Sequence, residues 1–139
     1  MGTGFIFQVR VYYEDTDAGG VVFYANYLKF MERARTEWLR ALGFEQDEVL
    51  ATDGVVFAVT SLTTEFLAPA RFNDLLDVSV AVTRLGKASI NLDQEILRQG
   101  DILNRATVKL ACVNKDSFVP KRIPERIFRC IEPEARNNK

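Results

Sequence analysis

The sequence predicts an α+β domain in which one long helix packs against an antiparallel sheet. Apolar and polar residues alternate from Phe5 to Tyr13, which is the period of a half-buried strand. A helical pattern then runs from about Tyr24 to Leu42, and a succession of alternating segments joined by short turns fills most of the remaining chain. A single helix beside one sheet gives a layered α+β architecture.

The first predicted strand ends at Glu14 in an acidic turn. Side chains of the types found from Asp15 to Asp17 bond nearby backbone, and Gly19-Gly20 permits backbone angles that a Cβ would hinder. The chain can therefore turn sharply between the strand and the helix.

The predicted helix carries an apolar face and a charged face, and Gly43 follows it as a left-handed cap. The apolar face consists of Tyr24, Tyr27, Leu28, Met31, Ala34, Trp38 and Leu42. The face predicted to be solvated consists of Lys29, Glu32, Arg33, Arg35, Thr36, Glu37 and Arg40. Residues 45–54 are expected to form a short helical turn or a loop.

The second half of the chain reads as strands separated by turns, which predicts an antiparallel meander. The predicted strands are 55–67, 75–84, 88–98, 102–114 and 118–123. A short tail is expected after Pro124, polar from about residue 132. No linker or repeat divides the sequence, so we expect a single domain over residues 1–139.

The composition points to an ordinary globular protein. Of 139 residues, 47% are hydrophobic and 27% are charged, and the formal net charge is −1, which gives no reason to expect a nucleic acid or a membrane surface as partner. No apolar run approaches the length of a membrane span, and the N-terminus lacks the pattern of a secretory signal. The sequence therefore predicts a cytoplasmic protein without membrane insertion.

The chain contains no histidine and two cysteines. The absence of histidine excludes Ser-His-Asp and Cys-His nucleophile systems and histidine-ligated metals. Cys112 alternates in phase with Val108 and Leu110, which predicts a buried apolar role, and Cys130 has no nearby metal-ligand partner. We expect no metal and no bound cofactor, so acid–base chemistry would have to use carboxylates, Lys, Tyr or Cys.

The acidic turn before the helix is the best candidate for a reaction site. Unpaired backbone N–H groups in the first turn of a helix carry partial positive charge, so they can polarise a carbonyl or hold an oxyanion. A carboxylate on the preceding turn, best supplied by Asp17, could attack that carbonyl or activate a water. The structural alternative is that Asp15 and Asp17 only shape the turn, or that one of them caps the helix.

The stretch VRVYYEDTDAGGVVFYANYLKFMERARTEWLR and the segment from Phe66 to Ala70 closely resemble the Tol-Pal system-associated acyl-CoA thioesterases. These belong to the 4-hydroxybenzoyl-CoA thioesterase-like group of the hot-dog fold, and the resemblance covers essentially the whole chain. It implies that a strongly curved antiparallel sheet wraps the long helix. It also implies a homo-oligomer, a dimer formed through the sheets or a tetramer, with acyl-CoA bound at the subunit interface.

The resemblance also assigns roles to residues of the turn and the helix start. The second acid of the D-x-D motif of these enzymes falls on Asp17, which would act as nucleophile through an acyl-enzyme anhydride or as the base that activates water. Their oxyanion donor, a backbone N–H, falls on Tyr24 or its neighbours. Many relatives in the Tol-Pal branch carry His where this chain has Tyr24, whereas relatives in the hydroxybenzoyl branch carry Tyr. The resemblance therefore leaves open whether the acyl group of the substrate is aromatic or aliphatic.

Coenzyme A brings phosphates, which basic side chains should bind. Our candidates are Arg84, Lys87 and Ser89 on and beside one predicted turn, followed by Lys121 and Arg122. The structural alternative is that these are ordinary charged turn residues.

Two other functions are alternatives to the thioesterase hypothesis. A hot-dog dehydratase or hydratase typically uses His with an acid, and the lack of histidine argues against it. The other is a non-catalytic scaffold protein of envelope or phospholipid metabolism that binds acyl-CoA or an acyl carrier. A binding module would not need a carboxylate aimed at the thioester, which favours the enzyme. Acyl carrier protein is the alternative carrier of the substrate.

Overall fold

The computed structural model describes residues 4–137, which form a five-stranded antiparallel sheet and three α-helices. This confirms the predicted α+β class. A single 3-10 turn, Tyr13–Asp15, lies between the first strand and the first helix. In chain order the elements are β1 (Phe5–Arg10), α1 (Asn26–Ala41), α2 (Gln46–Asp53), β2 (Val55–Phe66), β3 (Leu75–Leu85), β4 (Ser89–Arg98), β5 (Asp101–Asn114) and α3 (Glu125–Asn137).

The strand order in the sheet is β1-β3-β4-β5-β2. Strands β3, β4 and β5 form the predicted meander, but β2 does not pair with β3, its neighbour in sequence. It crosses to the far side and pairs with β5, in a register that runs from Val55 opposite Asn114 to Phe66 opposite Asn104. Strands β1 and β2 are therefore the two edges of the sheet.

The core lies between the sheet and α1. Alternate residues of β3 and β4 point inward and are fully buried, as their period of two predicts. Helix α1 buries Phe30, Met31, Ala34 and Trp38 against them. Burial of a large apolar side chain contributes about 1.5–3 kcal/mol, so this layer holds the helix in a fixed position over the sheet.

Helix α1 differs from the prediction at its start and at one charged residue. It begins at Asn26 instead of Tyr24, and the Tyr24 side chain is exposed. Arg35, predicted to be solvated, is buried, and its Nη1 donates to Oε1 of Gln94 at 2.9 Å. Gln94 is itself buried in the sheet and donates to the carbonyl oxygen of Met31 at 3.1 Å. Desolvation lowers the pKa of Arg35, partly opposed by the charge of Glu32.

The C-terminal region also corrects the prediction. No strand forms over 118–123, where the only pairing is a bridge between Val113 and Pro120. The expected polar tail is instead helix α3, whose residues Ile127, Ile131 and Ala135 are spaced by four and buried. Residues 45–54, left open between a turn and a loop, contain the two-turn helix α2.

Candidate active site

The loop between β1 and α1 folds back on itself. After the 3-10 turn, Thr16 and Val22 form an antiparallel bridge, and the N–H of Asp17 donates to the carbonyl oxygen of Val21 at 2.9 Å. Gly20 closes the loop with a left-handed backbone (φ 79°), which a residue with a Cβ would adopt only with strain. The predicted sharp turn is thus present, with the acidic residues on its first arm.

Asp15 is the buried acid of this loop, with 5% of its surface exposed. One carboxylate oxygen accepts a hydrogen bond from the backbone N–H of Tyr12 at 2.8 Å, and the other accepts from the side-chain amide of Asn26 at 2.9 Å. The backbone oxygen of Asp15 accepts from the N–H of Phe23. Asp15 therefore joins the end of the strand, the turn and the first residue of α1, which is a structural role.

Asp17 lies two residues further on and is exposed. Its Oδ1 accepts from the backbone N–H of Gly19 at 2.8 Å, while Oδ2 accepts no hydrogen bond from residues 4–137. A Cβ at position 19 would lie 3.2 Å from Oδ1, so glycine at that position leaves the carboxylate room. Asp17 is therefore the acid of the pair that is accessible to another molecule.

The start of α1 leaves backbone donors unpaired. The N–H groups of Asn26, Tyr27 and Leu28 donate to carbonyl oxygens three residues earlier, at 2.8, 3.4 and 3.1 Å. Within the part of the chain that the structure describes, the N–H groups of Tyr24 and Ala25 donate no hydrogen bond, and Ala25 supplies no side-chain cap. These two groups carry the partial positive charge of the helix terminus, so they can stabilise a negative oxygen.

Aromatic side chains and the loop after β2 surround the start of α1. The Tyr24 ring is 66% exposed and lies 4.9 Å from the ring of Phe23 and 6.3 Å from that of Phe66, centroid to centroid. The hydroxyl of Tyr27 accepts a hydrogen bond from the N–H of Ala70 at 3.0 Å. The two segments that carry the family resemblance are therefore in contact in the fold.

The predicted phosphate-binding residues lie elsewhere. Arg84 is exposed near the end of β3, Lys87 is exposed on the following turn, and Ser89 is half-buried at the start of β4. The acidic turn follows β1, whose last residue, Arg10, pairs with Leu75 at the start of β3. The predicted phosphate-binding residues lie at or beyond the other end of β3. Ten residue steps of strand measure about 33 Å, so one chain does not bring these residues together with Asp17.

The two weaker candidates lie near the same distant turn. Lys121 and Arg122 are exposed, and the N–H of the next residue, Ile123, donates to the carbonyl oxygen of Lys87 at 2.8 Å. The Nζ of Lys121 lies 3.4 Å from the carbonyl oxygen of Asp53. The five basic or hydroxyl candidates thus belong to the end of the sheet away from Asp17.

A cysteine thiol or a bound metal ion would be another source of reactivity. Cys112 is fully buried, as predicted, and desolvation raises the pKa of its thiol to about 11, so it is not a thiolate nucleophile at neutral pH. Among residues 4–137, no three His, Cys, Asp or Glu side chains are grouped to hold a metal ion. No helix in that range is long and apolar enough to cross a membrane.

A long helix against a five-stranded antiparallel sheet, with an acidic turn at the helix start, defines the class of protein as a hot-dog domain. The sequence profile described as "Thioesterase superfamily" matches residues 19–104, and the chain belongs to this family.

Individual relatives agree with this assignment. The chain is 44% identical over 127 residues to the acyl-CoA thioesterase YbgC of Haemophilus influenzae, covering 91% of this chain and 93% of that protein. It is 43% identical over 126 residues to the acyl-CoA thioester hydrolase YbgC of Escherichia coli O6:H1, covering 90% and 93%. The crystal structure of a probable thioesterase from Bartonella henselae matches with a TM-score of 0.82 and 37% identity, covering 86% and 98%. The predicted fold and the resemblance to acyl-CoA thioesterases are confirmed.

The different environments of the two acids predict different responses to the same substitution. Asp15→Ala removes the acceptors of the Tyr12 N–H and of the Asn26 amide, which should lower the free energy of unfolding by about 1–3 kcal/mol. Asp17→Ala should change it by less than about 0.5 kcal/mol, because the site is exposed. Urea denaturation followed by circular dichroism measures both. Equal unfolding free energies for the two variants would contradict the structural role of Asp15.

Proposed function

We propose that this chain hydrolyses acyl-CoA thioesters to a free carboxylic acid and CoA. One observation carries the proposal: an exposed carboxylate, that of Asp17, lies in the same loop as the unpaired N–H groups of Tyr24 and Ala25. Family membership and the relatives named as acyl-CoA thioesterases support this reaction. CoA enters as part of the substrate, and the proposed chemistry uses no metal or resident cofactor.

The reaction needs a carbonyl to be polarised and attacked. With its oxygen at the N–H groups of Tyr24 and Ala25, the thioester carbon becomes more electrophilic, and the developing oxyanion is stabilised most in the transition state. In one route Asp17 attacks this carbon, CoA leaves as the thiolate, and water hydrolyses the resulting anhydride. In the other route Asp17 takes a proton from a water that attacks directly. Both routes give the same acid and CoA.

Asp17→Asn tests the catalytic role. The amide keeps the shape and the hydrogen bond to Gly19 but is neither a carboxylate nucleophile nor a base, so kcat should fall by about 10²–10⁴-fold. Thiol release from a panel of aliphatic and aromatic acyl-CoAs measures the effect. Asp116→Asn, which changes another exposed turn carboxylate, is the matched control and should keep wild-type kcat. Undiminished turnover by Asp17→Asn would refute the assignment.

The same panel distinguishes the enzyme from the scaffold alternative. A protein that binds acyl-CoA, or an acyl carrier, without hydrolysing any thioester would behave identically with Asp or Asn at position 17. Tight binding of acyl-CoA by the wild type with no thiol release would therefore favour the scaffold function. Replacing CoA by acyl carrier protein in the assay shows which carrier the enzyme accepts.

Arg84 and Lys87 lie far from Asp17 of their own chain. If they bind the phosphates of CoA, that CoA would therefore occupy the active site of another subunit. In that arrangement a double Arg84→Ala, Lys87→Ala variant should raise KM by about tenfold or more and leave kcat nearly unchanged, since each charge-assisted contact is worth about 1.5–3 kcal/mol. Steady-state kinetics measure both constants, and exposed Arg105→Ala is the control. An unchanged KM would show that these residues are ordinary turn charges.

The edge strand β2 supports the homo-oligomer that the resemblance implies. It has 12 residues, includes one charged residue, Glu65, and contains no proline. Val59, near its middle, is 46% exposed. A long edge strand with few charges offers unpaired N–H and C=O groups to another chain. The other edge, β1, has six residues and ends at Arg10, so it is the weaker candidate for pairing.

The dimer proposal predicts opposite outcomes at the two edges. If two copies of β2 pair antiparallel, Val59→Lys places like charges close together near the two-fold axis and should convert the oligomer to smaller species. Ile6→Lys makes the same change on β1, at a side chain that is 47% exposed, and should leave the assembly intact. Light scattering after gel filtration gives the mass of each. Dissociation by Ile6→Lys alone would contradict the proposal.

A further inference from the structure

Asp15 holds the chain on both sides of the proposed oxyanion donors. Its backbone oxygen accepts a hydrogen bond from the N–H of Phe23 at 2.9 Å. One of its carboxylate oxygens accepts from the side-chain amide of Asn26, also at 2.9 Å. The free N–H groups of Tyr24 and Ala25 lie between these two contacts. A single residue therefore fixes both ends of the segment that carries the donors.

Asp15 also belongs to the arm of the loop that carries Asp17. Its second carboxylate oxygen accepts from the N–H of Tyr12 at 2.8 Å, and its own N–H donates to the carbonyl oxygen of Tyr12 at 3.0 Å. Two residues later, the N–H of Asp17 donates to the carbonyl oxygen of Val21. Asp15 thus connects the reactive carboxylate to the start of α1.

Asn26 gives this connection a donor without adding a charge. Its side chain is buried, with 8% of the residue exposed. The first turn of α1, residues 26–29, contains no Asp or Glu, whereas α2 begins with Asp47 and Glu48 and α3 with Glu125. An acid in the first turn usually stabilises a helix by offsetting the positive charge of its terminus. In α1 that charge remains available to a substrate oxygen.

We infer that Asp15 and Asn26 are a pair of positioning residues for the proposed thioester hydrolysis. Their side-chain hydrogen bond keeps the Asp17 carboxylate and the two free N–H groups in the arrangement that attack on a polarised carbonyl requires. Both residues act through the groups that they hold and not by contact with the thioester. The inference rests on the proposed function.

A cycle of substitutions tests the pair. Asn26→Asp leaves two carboxylates facing each other without a donor, so kcat should fall about 10²-fold, as for a reacting group displaced by about 1 Å. KM should stay within about twofold, because the lost interactions belong to the transition state. Adding Asp15→Asn restores an amide opposite a carboxylate, in the reverse direction, and should raise kcat by about tenfold or more.

A second variant makes the rescue specific. Asn26→Leu keeps the approximate shape of the side chain but has no donor, so it should lower kcat as much as Asn26→Asp does. Adding Asp15→Asn to it restores no hydrogen bond and should recover little activity. Wild-type kcat in both position-26 variants would overturn the inference, and so would a double Asp15→Asn, Asn26→Asp variant that recovers nothing.

A positioning role must also be separated from a loss of stability. Ile131→Val removes one methyl group that is buried in α3, which lowers stability but leaves the acidic loop untouched. This control should keep wild-type kcat. Circular dichroism at the assay temperature shows that each variant is folded before its kinetics are measured.

The carbonyl stretch of bound substrate reports on the donors directly. An acyl-CoA with an isotope-labelled thioester carbonyl is bound to the Asp17→Asn variant, in which cleavage is slow. Hydrogen bonds from the N–H groups of Tyr24 and Ala25 should lower the stretching frequency below that of the free thioester. Adding Asn26→Leu should return the frequency toward the free value, whereas adding Ile131→Val should not.

The outcomes separate this inference from the proposed function. Normal hydrolysis by the wild type, with a carbonyl frequency that Asn26→Leu does not change, would overturn the positioning role alone. No hydrolysis of any acyl-CoA by the wild type would overturn the proposed function, and the inference with it.

Discussion

The buried carboxylate of Asp15 is the constraint on which the candidate site depends. Its two oxygens accept from the N–H of Tyr12 and the side chain of Asn26, so the end of β1 and the first residue of α1 are held by one side chain. A buried acid is costly unless its oxygens are hydrogen-bonded, and here both are. Because Asp15 fixes the loop, Asp17 can remain exposed with a single hydrogen bond and still occupy a defined place near the helix terminus.

The position of the helix terminus depends in turn on how α1 lies on the sheet. Apolar packing resists separation of the two layers, but polar contacts resist rotation and sliding of the helix, because each has one geometry. Gln94 bonds both the Arg35 side chain and the backbone of α1, and the hydroxyl of Tyr27 bonds the loop that follows β2. Loss of the Tyr27 hydroxyl would leave the buried N–H of Ala70 without this acceptor. The N–H groups at the start of the helix therefore belong to a rigid element, which is what oxyanion stabilisation requires.

The parts of the fold that the sequence predicted well are those specified by local pattern: the alternation of β3 to β5, the stripe of α1 and the sharp acidic turn. The predictions that were wrong involve contacts between residues that are distant in the sequence. Nothing near Arg35 indicates that Gln94, 59 residues later, supplies its acceptor. Helix α3 was not predicted because the segment after Pro124 was interpreted as a tail that becomes polar, although its buried side chains are spaced by four residues. For the candidate site, the sequence favoured Asp17 as the reactive acid. It could not show that Asp15 is buried, because the hydrogen-bond partners of Asp15 become apparent only in the fold.

Strand β2 carries one charged residue, Glu65, in twelve residues, which is consistent with an edge that the proposed homo-oligomer covers. An exposed strand of this length would promote uncontrolled association, and proteins normally protect such edges with charges, proline or short length. Closed two-fold pairing removes the hazard because each copy covers the edge of the other and no free edge of that kind remains. In the homo-oligomer that we propose, the same strand would govern both solubility and assembly. Selection against aggregation and selection for assembly would then act on the same residues.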